Sequence, residues 1–333
     1  MKMKVLIQII SVCFLFSVAQ AKVIYFVPFP GFNSEQVFTN IYPDQDRATN
    51  PYLALKKHLE SKGHTIKHTT NGVCVQDADY IISLTNADKY LLENLKEISR
   101  EKCFLVLFEP PVTSPYLYER SLEERFGKIF TMFDDDVDNK QYFKIFYPQP
   151  RMQIVGIMDD FSERKLCAMV SNNKGFSHHK CIYYERHAVI DFFAKRPPGE
   201  FDLFGGWSHS YRDWKGPMDE KFETLNHYKF SFTYENMGQQ NGYITEKIFD
   251  SFISGCVPVY IGADNITEYV PAECFIDKRK FSSYSELYNY LVNMDRITYE
   301  NHIKAIEKFL ASDQAQLFTA QHFVKIISSH IED

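Results

Sequence analysis

Residues 230–262 read FSFTYENMGQQNGYITEKIFDSFISGCVPVYIG, and this stretch decides the fold class of the chain. It predicts a strand at 229–234, a polar loop that contains glycine, a helix at 243–254 that Gly255 ends, and a second strand at 257–261. A strand, a helix and a strand in succession indicate a parallel sheet covered by helices.

The same alternation runs through the rest of the chain. Further strands are predicted at 22–27, 81–84, 103–108, 127–133, 165–170 and 201–204. Further helices are predicted at 50–63, 89–99, 180–195, 284–294, 299–310 and 315–329. Two prolines at 147–150 interrupt the pattern and mark a linker. We therefore predict an α/β protein with two Rossmann-like domains that face a cleft, where ligands bind beyond the carboxyl ends of the strands.

The first 21 residues differ from the rest. Two lysines precede an apolar run at 5–18, and small residues follow, as in a secretory signal peptide. The run is shorter than the about 20 residues that span a bilayer comfortably, and an uncleaved N-terminal anchor is the alternative. The predicted parts are this segment at 1–21, an N-terminal domain at 22–150, a C-terminal domain at 151–312 and a C-terminal helix at 313–333.

The composition is that of a folded protein, since 45% of the 333 residues are hydrophobic and 24% are charged. The net charge of −6 argues against nucleic acid as a partner, because phosphate neutralisation needs a basic surface. The cysteines after residue 21 show no CxxC spacing, so a zinc site is not expected. Disulfides stay an open alternative to buried thiols.

The predicted helix after the glycine loop carries Thr245, Glu246 and Lys247 in its first turn. Free backbone N–H groups and the helix dipole attract phosphate to such a position. The same dipole disfavours Lys247 there unless an anion offsets its charge, which indicates a diphosphate ligand. Glu246 is favoured by the dipole on its own, so it is either a ligand-binding or a simple helix-start residue. Tyr243 either stacks on a base or packs against the helix start.

The stretch 230–262 strongly resembles the signature of the alpha-1,3/1,4-fucosyltransferase family (glycosyltransferase family 10). That signature has a Phe-Glu-Asn element, then Tyr-Ile-Thr-Glu-Lys, then a Val-Pro-Val-aliphatic-Gly strand, and here Tyr234 replaces the usual Phe. The resemblance implies a GT-B fold, a GDP-fucose donor bound in the C-terminal domain, and inversion at the sugar. It implies substrate contacts for a set of residues around ribose and fucose: Glu235, Asn236, Tyr243, Thr245 and Glu246.

Arg186 falls on the apolar stripe that Ile182, Val189 and Phe193 form in the helix predicted at 180–195. A charge that faces inward costs several kcal/mol unless it is paired. Arg186 therefore meets either a carboxylate or an anion in the cleft. The family carries an arginine in this helix, after a strand that ends Val-Ser-Asn as 170–172 does here, and the resemblance implies that Arg186 neutralises the departing diphosphate.

An inverting transferase needs a base for the acceptor hydroxyl and cations for the leaving phosphate. Glu109 follows the strand at 103–108, so it should face the cleft. Residues 108–111 resemble the family's Phe-Glu-Ser-Pro-like element, with proline in place of the small polar residue, which implies that Glu109 is the base on the acceptor side. The alternative for Glu109 is an ordinary loop carboxylate.

Asp134, Asp135 and Asp136 could hold a Mn²⁺–nucleotide complex in the other major glycosyltransferase fold. They lie far in sequence from the donor motif, and a solvated turn is the favoured interpretation. The resemblance implies that no metal or cofactor is required, with a divalent metal at most stimulatory.

The predicted function is transfer of L-fucose from GDP-beta-L-fucose to a glycan acceptor, with GlcNAc and an alpha-1,3 linkage expected. The alternatives are another GT-B enzyme with a different sugar nucleotide, or a catalytically silent carbohydrate-binding protein. GDP-fucose and the glycan are the expected partners, with membrane association through the N-terminus. The expected location is the secretory route: the Golgi of a eukaryote, or the periplasm or inner membrane of a bacterium.

Overall fold

The computed structural model describes residues 20–29, 37–39, 50–69, 75–155, 160–175, 177–218 and 220–332. The predicted signal or anchor segment at 1–21 thus lies outside the described residues, apart from its last two. Within the described ranges, no helix combines the length and the apolar character that a membrane span needs. The five described cysteines are free thiols.

The N-terminal domain is built on a six-stranded sheet with the order β2-β1-β3-β4-β5-β6. All neighbouring strands are parallel. Its strands are β1 (Val23–Val27), β2 (Thr65–His68), β3 (Tyr80–Leu84), β4 (Cys103–Val106), β5 (Lys128–Thr131) and β6 (Tyr142–Lys144). Its helices are α1 (Pro51–Ser61) and α2 (Lys89–Asn94).

Side chains of β1 alternate between the two faces of this sheet. Ile24 and Phe26 pack in one core cluster with Leu55 of α1, whereas Tyr25 packs in a second cluster with Leu91 of α2. The helices therefore cover opposite faces, as parallel sheets require. Each helix begins at a capping side chain; Asn50 Oδ1 accepts from the backbone N–H of Tyr52 and Leu53 at 2.9 and 3.0 Å.

The C-terminal domain holds a five-stranded parallel sheet with the order β11-β10-β9-β7-β8. Its strands are β7 (Lys165–Val170), β8 (Phe201–Phe204), β9 (Tyr228–Tyr234), β10 (Val257–Ile261) and β11 (Ile276–Asp277). Its helices are α3 (Tyr183–Phe193), α4 (Lys221–Leu225), α5 (Glu246–Ile253), α6 (Ile266–Tyr269), α7 (Tyr284–Val292), α8 (Arg296–Leu310) and α9 (Asp313–Gln316).

The last helix, α10 (Ala320–Glu332), returns to the N-terminal domain. Phe323 and Ile327 are buried in the same cluster as Ile24 and Leu55, and the Phe323 ring lies 5.7 Å from that of Tyr52. The chain thus crosses between the domains twice, at the predicted linker and before α10. Burial of these large apolar side chains fixes the C-terminal end of the chain on the first domain.

The predicted α/β architecture with two parallel sheets is confirmed. The helix predicted at 180–195 begins later, at Tyr183, and the one predicted at 243–254 begins at Glu246. The sequence did not indicate the short elements β2, β6, β11 and α4. Each has at most five residues, too few for a period of 2 or 3.6 to stand out.

The prediction of a solvated aspartate turn is wrong for Asp134, which joins the two domains. Its carboxylate accepts from Asn265 Nδ2 and from the Tyr269 hydroxyl, both at 2.8 Å, and pairs with Lys144 Nζ at 2.6 Å. Its backbone N–H donates to the carbonyl of Asn241 at 3.1 Å. Asp134 therefore holds the loop that precedes α5, a contact between distant segments that sequence spacing does not reveal.

Gly242 in this loop presses against the N-terminal domain. It has φ +76°, and a Cβ there would lie 2.4 Å from the Met132 carbonyl oxygen and 2.5 Å from Asp134 Oδ1. Only glycine fits this approach, because a side chain would have to displace backbone as well as adopt a strained conformation. The close approach explains why a glycine precedes Tyr243.

Asp134→Ala should lower the free energy of unfolding by about 2 kcal/mol at pH 7, because it leaves three partly buried hydrogen-bond donors without a carboxylate. Burial raises the pKa of Asp134, but the bonds from Lys144 and Asn265 outweigh it and hold the pKa below its usual range. Its stabilisation is therefore present above about pH 4 and is lost as the pH falls further. Urea denaturation at pH 7 and at pH 3 measures both effects.

The exposed Asp191→Ala is the matched control, since Asp191 lies on the surface of α3. The difference in the free energy of unfolding between Asp134→Ala and the unchanged chain should be large at pH 7 and small at pH 3. A gap of equal size at both pH values would contradict the role given to the Asp134 charge.

Candidate active site

Residues of both domains line one cavity of about 360 Å³. Phe108 and Glu109 reach it from the segment after β4, Tyr147 from the linker, and the rest come from the C-terminal domain. Seven of the predicted site residues lie on its wall: Glu109, Arg186, Asn236, Tyr243, Thr245, Glu246 and Lys247. The carboxyl ends of parallel strands thus supply the site, as the fold type requires.

The eighth predicted residue, Glu235, lies behind this wall and is fully buried. Its carboxylate accepts from the Thr245 backbone N–H at 2.9 Å and from the Thr245 hydroxyl at 2.7 Å. Its Oε2 also lies 3.3 Å from Lys247 Nζ. In this structure Glu235 therefore holds the start of α5 and its lysine.

Lys247 is the cation at the start of α5. Its Nζ lies 3.0 Å from the Thr245 hydroxyl and 3.2 Å from Glu246 Oε1, and its side chain keeps 24% of its surface exposed. Burial lowers the pKa of Lys247, but the carboxylates of Glu246 and Glu235 outweigh burial and raise it above its usual range. The lysine is therefore a permanent positive charge at neutral pH, on a helix end that already attracts anions.

Arg186 is buried, with 4% of its surface exposed, which confirms the predicted inward direction. Its Nη2 donates to the carbonyls of Tyr234 and Glu235 at 2.8 and 3.1 Å and to Asn236 Oδ1 at 3.0 Å. Among the residues that the structure describes, no carboxylate lies within ion-pair distance of it. Of the two alternatives for Arg186, the structure therefore favours an anion in the cleft, because a buried charge needs a partner of opposite sign.

Tyr183, which the sequence analysis missed, supports both Arg186 and Asn236. The guanidinium carbon of Arg186 lies 4.0 Å from the centre of the Tyr183 ring, a cation–π contact. The Tyr183 hydroxyl donates to Asn236 Oδ1 at 2.9 Å. Tyr183 is three residues before Arg186 on α3, so helical spacing was the signal that could have found it.

Glu109 is the exposed carboxylate of the N-terminal domain at this cavity. Its Oε2 accepts from the Thr113 hydroxyl at 2.7 Å, and the Tyr118 hydroxyl donates to its backbone carbonyl at 2.9 Å. These bonds orient the carboxylate and leave it accessible to a ligand. Glu109 also lines a second, more open cavity with Thr113, Ser114 and Lys174.

Tyr243 is fully buried between the domains, where its ring packs edge-on against Phe133 at 5.9 Å. Within the described residues, its hydroxyl has no hydrogen-bond partner. Burial raises the pKa of this hydroxyl, as do the nearby carboxylates of Glu235 and Glu246, so it stays a neutral donor. A buried hydroxyl on the wall of a polar cavity is suited to bind a ligand oxygen.

The aspartate turn has a structural role. Asp134 is committed to Lys144, Asn265 and Tyr269, and Asp135 Oδ1 accepts from Asn241 Nδ2 at 3.3 Å. Within the ranges that the structure covers, no group of three or more His, Cys, Asp or Glu residues is arranged to hold a metal ion.

The architecture resembles that of solved two-domain transferases. An alpha1,3-fucosyltransferase crystallised with GDP superposes with a TM-score of 0.56 at 15% identity, over 94% of this chain and 91% of that chain. The DNA-modifying enzyme beta-glucosyltransferase, crystallised with and without uridine diphosphoglucose, also gives 0.56, at 13% identity, over 93% and 100%. At such low identity the likeness establishes the fold, and the predicted GT-B class is confirmed.

The sequence comparisons cover shorter segments of the chain than the structural ones, but they point to one family of enzymes. Residues 162–323 match the family model of "Glycosyltransferase family 10 (fucosyltransferase) C-term". The alpha-(1,4)-fucosyltransferase of Arabidopsis thaliana is 39% identical over 80 residues, which are 23% of this chain and 20% of that protein. The 4-galactosyl-N-acetylglucosaminide 3-alpha-L-fucosyltransferase 9 of Cricetulus griseus is 39% identical over 137 residues, 40% of this chain and 34% of that protein.

Residues 162–323 thus match the model of glycosyltransferase family 10, which confirms the resemblance that the sequence 230–262 indicated. The matched segments span only about a fifth to a third of these two relatives' lengths. The activity of the whole chain is accordingly a matter for proposal and experiment.

Arg186→Met should weaken the binding of inorganic diphosphate by about 10- to 100-fold, because the variant removes a buried cation from the cavity wall. Its free energy of unfolding should change little, since an unpaired buried charge is itself costly. Calorimetric titration and urea denaturation measure the two quantities. Arg296→Met on the exposed face of α8 is the control. Unchanged diphosphate affinity with a large loss of stability would mean that Arg186 is only structural.

Proposed function

We propose that the protein is an inverting fucosyltransferase that transfers L-fucose from GDP-beta-L-fucose to a hydroxyl of a glycan. One observation carries the proposal: Arg186, which is buried and has no carboxylate partner among the described residues, shares a cavity with a permanently charged lysine and an accessible glutamate. Cations for a leaving diphosphate and a base for an incoming hydroxyl are the parts that such a reaction needs. The family 10 domain at 162–323 supports fucose as the sugar.

In the proposed reaction, a carboxylate oxygen of Glu109 takes the proton of the acceptor hydroxyl. The hydroxyl oxygen attacks the anomeric carbon of fucose from the face opposite the diphosphate. A bond from acceptor oxygen to sugar forms, the bond from sugar to phosphate oxygen breaks, and GDP leaves with the bonding electrons. One displacement inverts the β-linked donor to an α-linked product.

Arg186 and Lys247 act in this scheme on the charge that grows on the leaving phosphate. Both are held before the reaction, Arg186 by Tyr183 and backbone carbonyls, Lys247 by Glu235. Preorganised cations stabilise developing charge without the cost of reorienting solvent. Asn236, Tyr243, Thr245 and Glu246 are proposed to contact the ribose and the fucose.

For the acceptor we propose a GlcNAc-containing glycan and an alpha-1,3 linkage. The name of the Cricetulus griseus relative, a 4-galactosyl-N-acetylglucosaminide 3-alpha-L-fucosyltransferase, supports this choice. The Arabidopsis thaliana relative is named for an alpha-(1,4) linkage, so that linkage is the alternative. The second cavity at Glu109, Thr113 and Lys174 is a candidate acceptor site, because it opens beside the proposed base.

We further propose that the reaction needs no metal or cofactor, since side chains supply the positive charge, and that a divalent metal is at most stimulatory. The secretory route, with membrane association through the N-terminus, stays the expected location.

A different sugar nucleotide is the second candidate donor, because a glucosyltransferase that uses uridine diphosphoglucose matches the fold equally well. A catalytically silent carbohydrate-binding protein is less well supported, because a protein that only binds glycans does not need a diphosphate site.

The direct test incubates the purified chain with GDP-fucose, EDTA and a panel of GlcNAc- and galactose-terminated acceptors, and follows GDP release and acceptor mass. An acceptor should gain one deoxyhexose. Glu109→Gln should lower kcat by about 10²- to 10⁴-fold, with donor binding retained, because only the base is lost. Lys247→Ala should lose donor binding as well.

Glu307→Gln, on the exposed face of α8, is the matched control for Glu109→Gln and should transfer at the unchanged rate. Binding of another sugar nucleotide in place of GDP-fucose would reject the fucose assignment. Full activity of Glu109→Gln would reject Glu109 as the base.

A further inference from the structure

The cavity continues past the proposed phosphate and ribose contacts into the C-terminal domain. Ser231 and Thr233 of β9 and Ser251 of α5 line this inner part, and all three are buried. The Thr233 and Ser251 hydroxyls lie 2.8 Å apart. Small polar side chains between a strand and its helix leave space where apolar side chains usually interlock.

An ion pair forms the wall of this inner part. Lys221 Nζ of α4 donates to Asp250 Oδ2 of α5 at 2.7 Å, and both residues line the cavity. The Asp250 side chain is 13% exposed. Its other oxygen, Oδ1, receives no hydrogen bond from any residue that the structure describes. A nearly buried carboxylate oxygen without a donor is a position where a ligand N–H can bind.

The position of Asp250 along α5 fits the order of groups in a nucleoside diphosphate. Lys247 and Glu246 lie at the start of the helix, and Asp250 follows Glu246 by four residues, on the same face. With a rise of about 1.5 Å per residue, Asp250 lies about 6 Å deeper along the helix axis. A phosphate at the helix start and a ribose at Glu246 would direct the base toward Asp250.

Apolar side chains flank the ion pair. Leu225 follows Lys221 by four residues on α4, and Val170 of β7 packs in the same hydrophobic cluster as Leu225. Both line the cavity. A site for a heteroaromatic ring typically has apolar side chains together with a few polar groups at fixed positions.

We propose that Asp250 and Lys221 recognise the guanine base of the donor, an inference that rests on the proposed function. The Watson–Crick edge of guanine presents two neighbouring donors, N1–H and the N2 amino group, and the O6 acceptor. The Asp250 carboxylate accepts from the two donors, and the Lys221 ammonium donates to O6. Uracil offers one N–H between two carbonyls, and adenine places an acceptor, N1, against the carboxylate. Neither base therefore matches the hydrogen-bonding groups of Asp250 and Lys221.

The test measures dissociation constants of GDP, IDP and XDP by calorimetry for the unchanged chain and for Asp250→Asn. IDP lacks the N2 amino group, and XDP carries a carbonyl at that carbon. The unchanged chain should prefer GDP to IDP about tenfold, the effect of one charge-assisted hydrogen bond, and should bind XDP weakest. Asp250→Asn should lose the preference for GDP over IDP and should bind XDP at least as tightly as GDP, because the amide donates to the new carbonyl.

Asp191→Asn, on the surface of α3, is the matched control and should keep the order of the unchanged chain. Equal binding of GDP and IDP by the unchanged chain would overturn the assignment without any variant, even if Asp250→Asn fails to fold. The assignment would also be overturned if Asp250→Asn kept the ratio of GDP affinity to IDP affinity that the unchanged chain shows. Tighter binding of UDP than of GDP by the unchanged chain would instead contradict the proposed function itself.

Discussion

The contact between Lys247 and the buried Glu235 is the interaction on which the rest of the site depends. A lysine at a helix N-terminus is opposed by the helix dipole, and here a fully buried carboxylate 3.3 Å away holds it in place. Glu235 lies there because it directly follows β9 at the carboxyl edge of the sheet, in contact with Thr245 at the start of α5. The carboxylate keeps Lys247 protonated and fixes its position on the wall of the cavity.

The neighbouring strand is adapted to this arrangement. Gly262 follows β10, and a Cβ on it would lie 2.6 Å from Glu235 Cγ and 2.3 Å from the Tyr260 hydroxyl. The glycine that ends the Val-Pro-Val-Tyr-Ile-Gly strand therefore makes room for the buried glutamate. In the signature at 230–262, the loop, the start of α5 and the end of β10 therefore all position or accommodate the same buried ion pair.

The N-terminal domain must also bring Glu109 to the cavity that Lys247 lines. Asp134 and the close approach of Gly242 fix the loop before α5 to the first domain, and α10 packs on the first domain as well. The domains therefore meet through specific polar contacts as well as apolar burial. This docking brings a carboxylate and two cations to one cavity, although they lie far apart in sequence.

The sequence predicted the long elements and most of the cavity wall, for physical reasons that can be named. Buried strands such as β10 are continuous apolar runs, and Arg186 on an apolar helix stripe was recognisable as a charge in need of a partner. Contacts across distant segments left no such pattern. Asp134 looked like an exposed turn because its partners, Asn265 and Tyr269, are about 130 residues away. Lys221 was missed with α4, a helix of five residues.

The role of Lys247 at the diphosphate can be tested by measuring the affinities for GDP and for GMP, in the unchanged chain and in Lys247→Ala. These nucleotides differ only in the second phosphate, so their ratio separates contact with the diphosphate from general damage to the site. The unchanged chain should bind GDP at least tenfold more tightly than GMP, and Lys247→Ala should remove most of this difference. A variant that loses affinity for both nucleotides by the same factor would contradict a diphosphate site at Lys247.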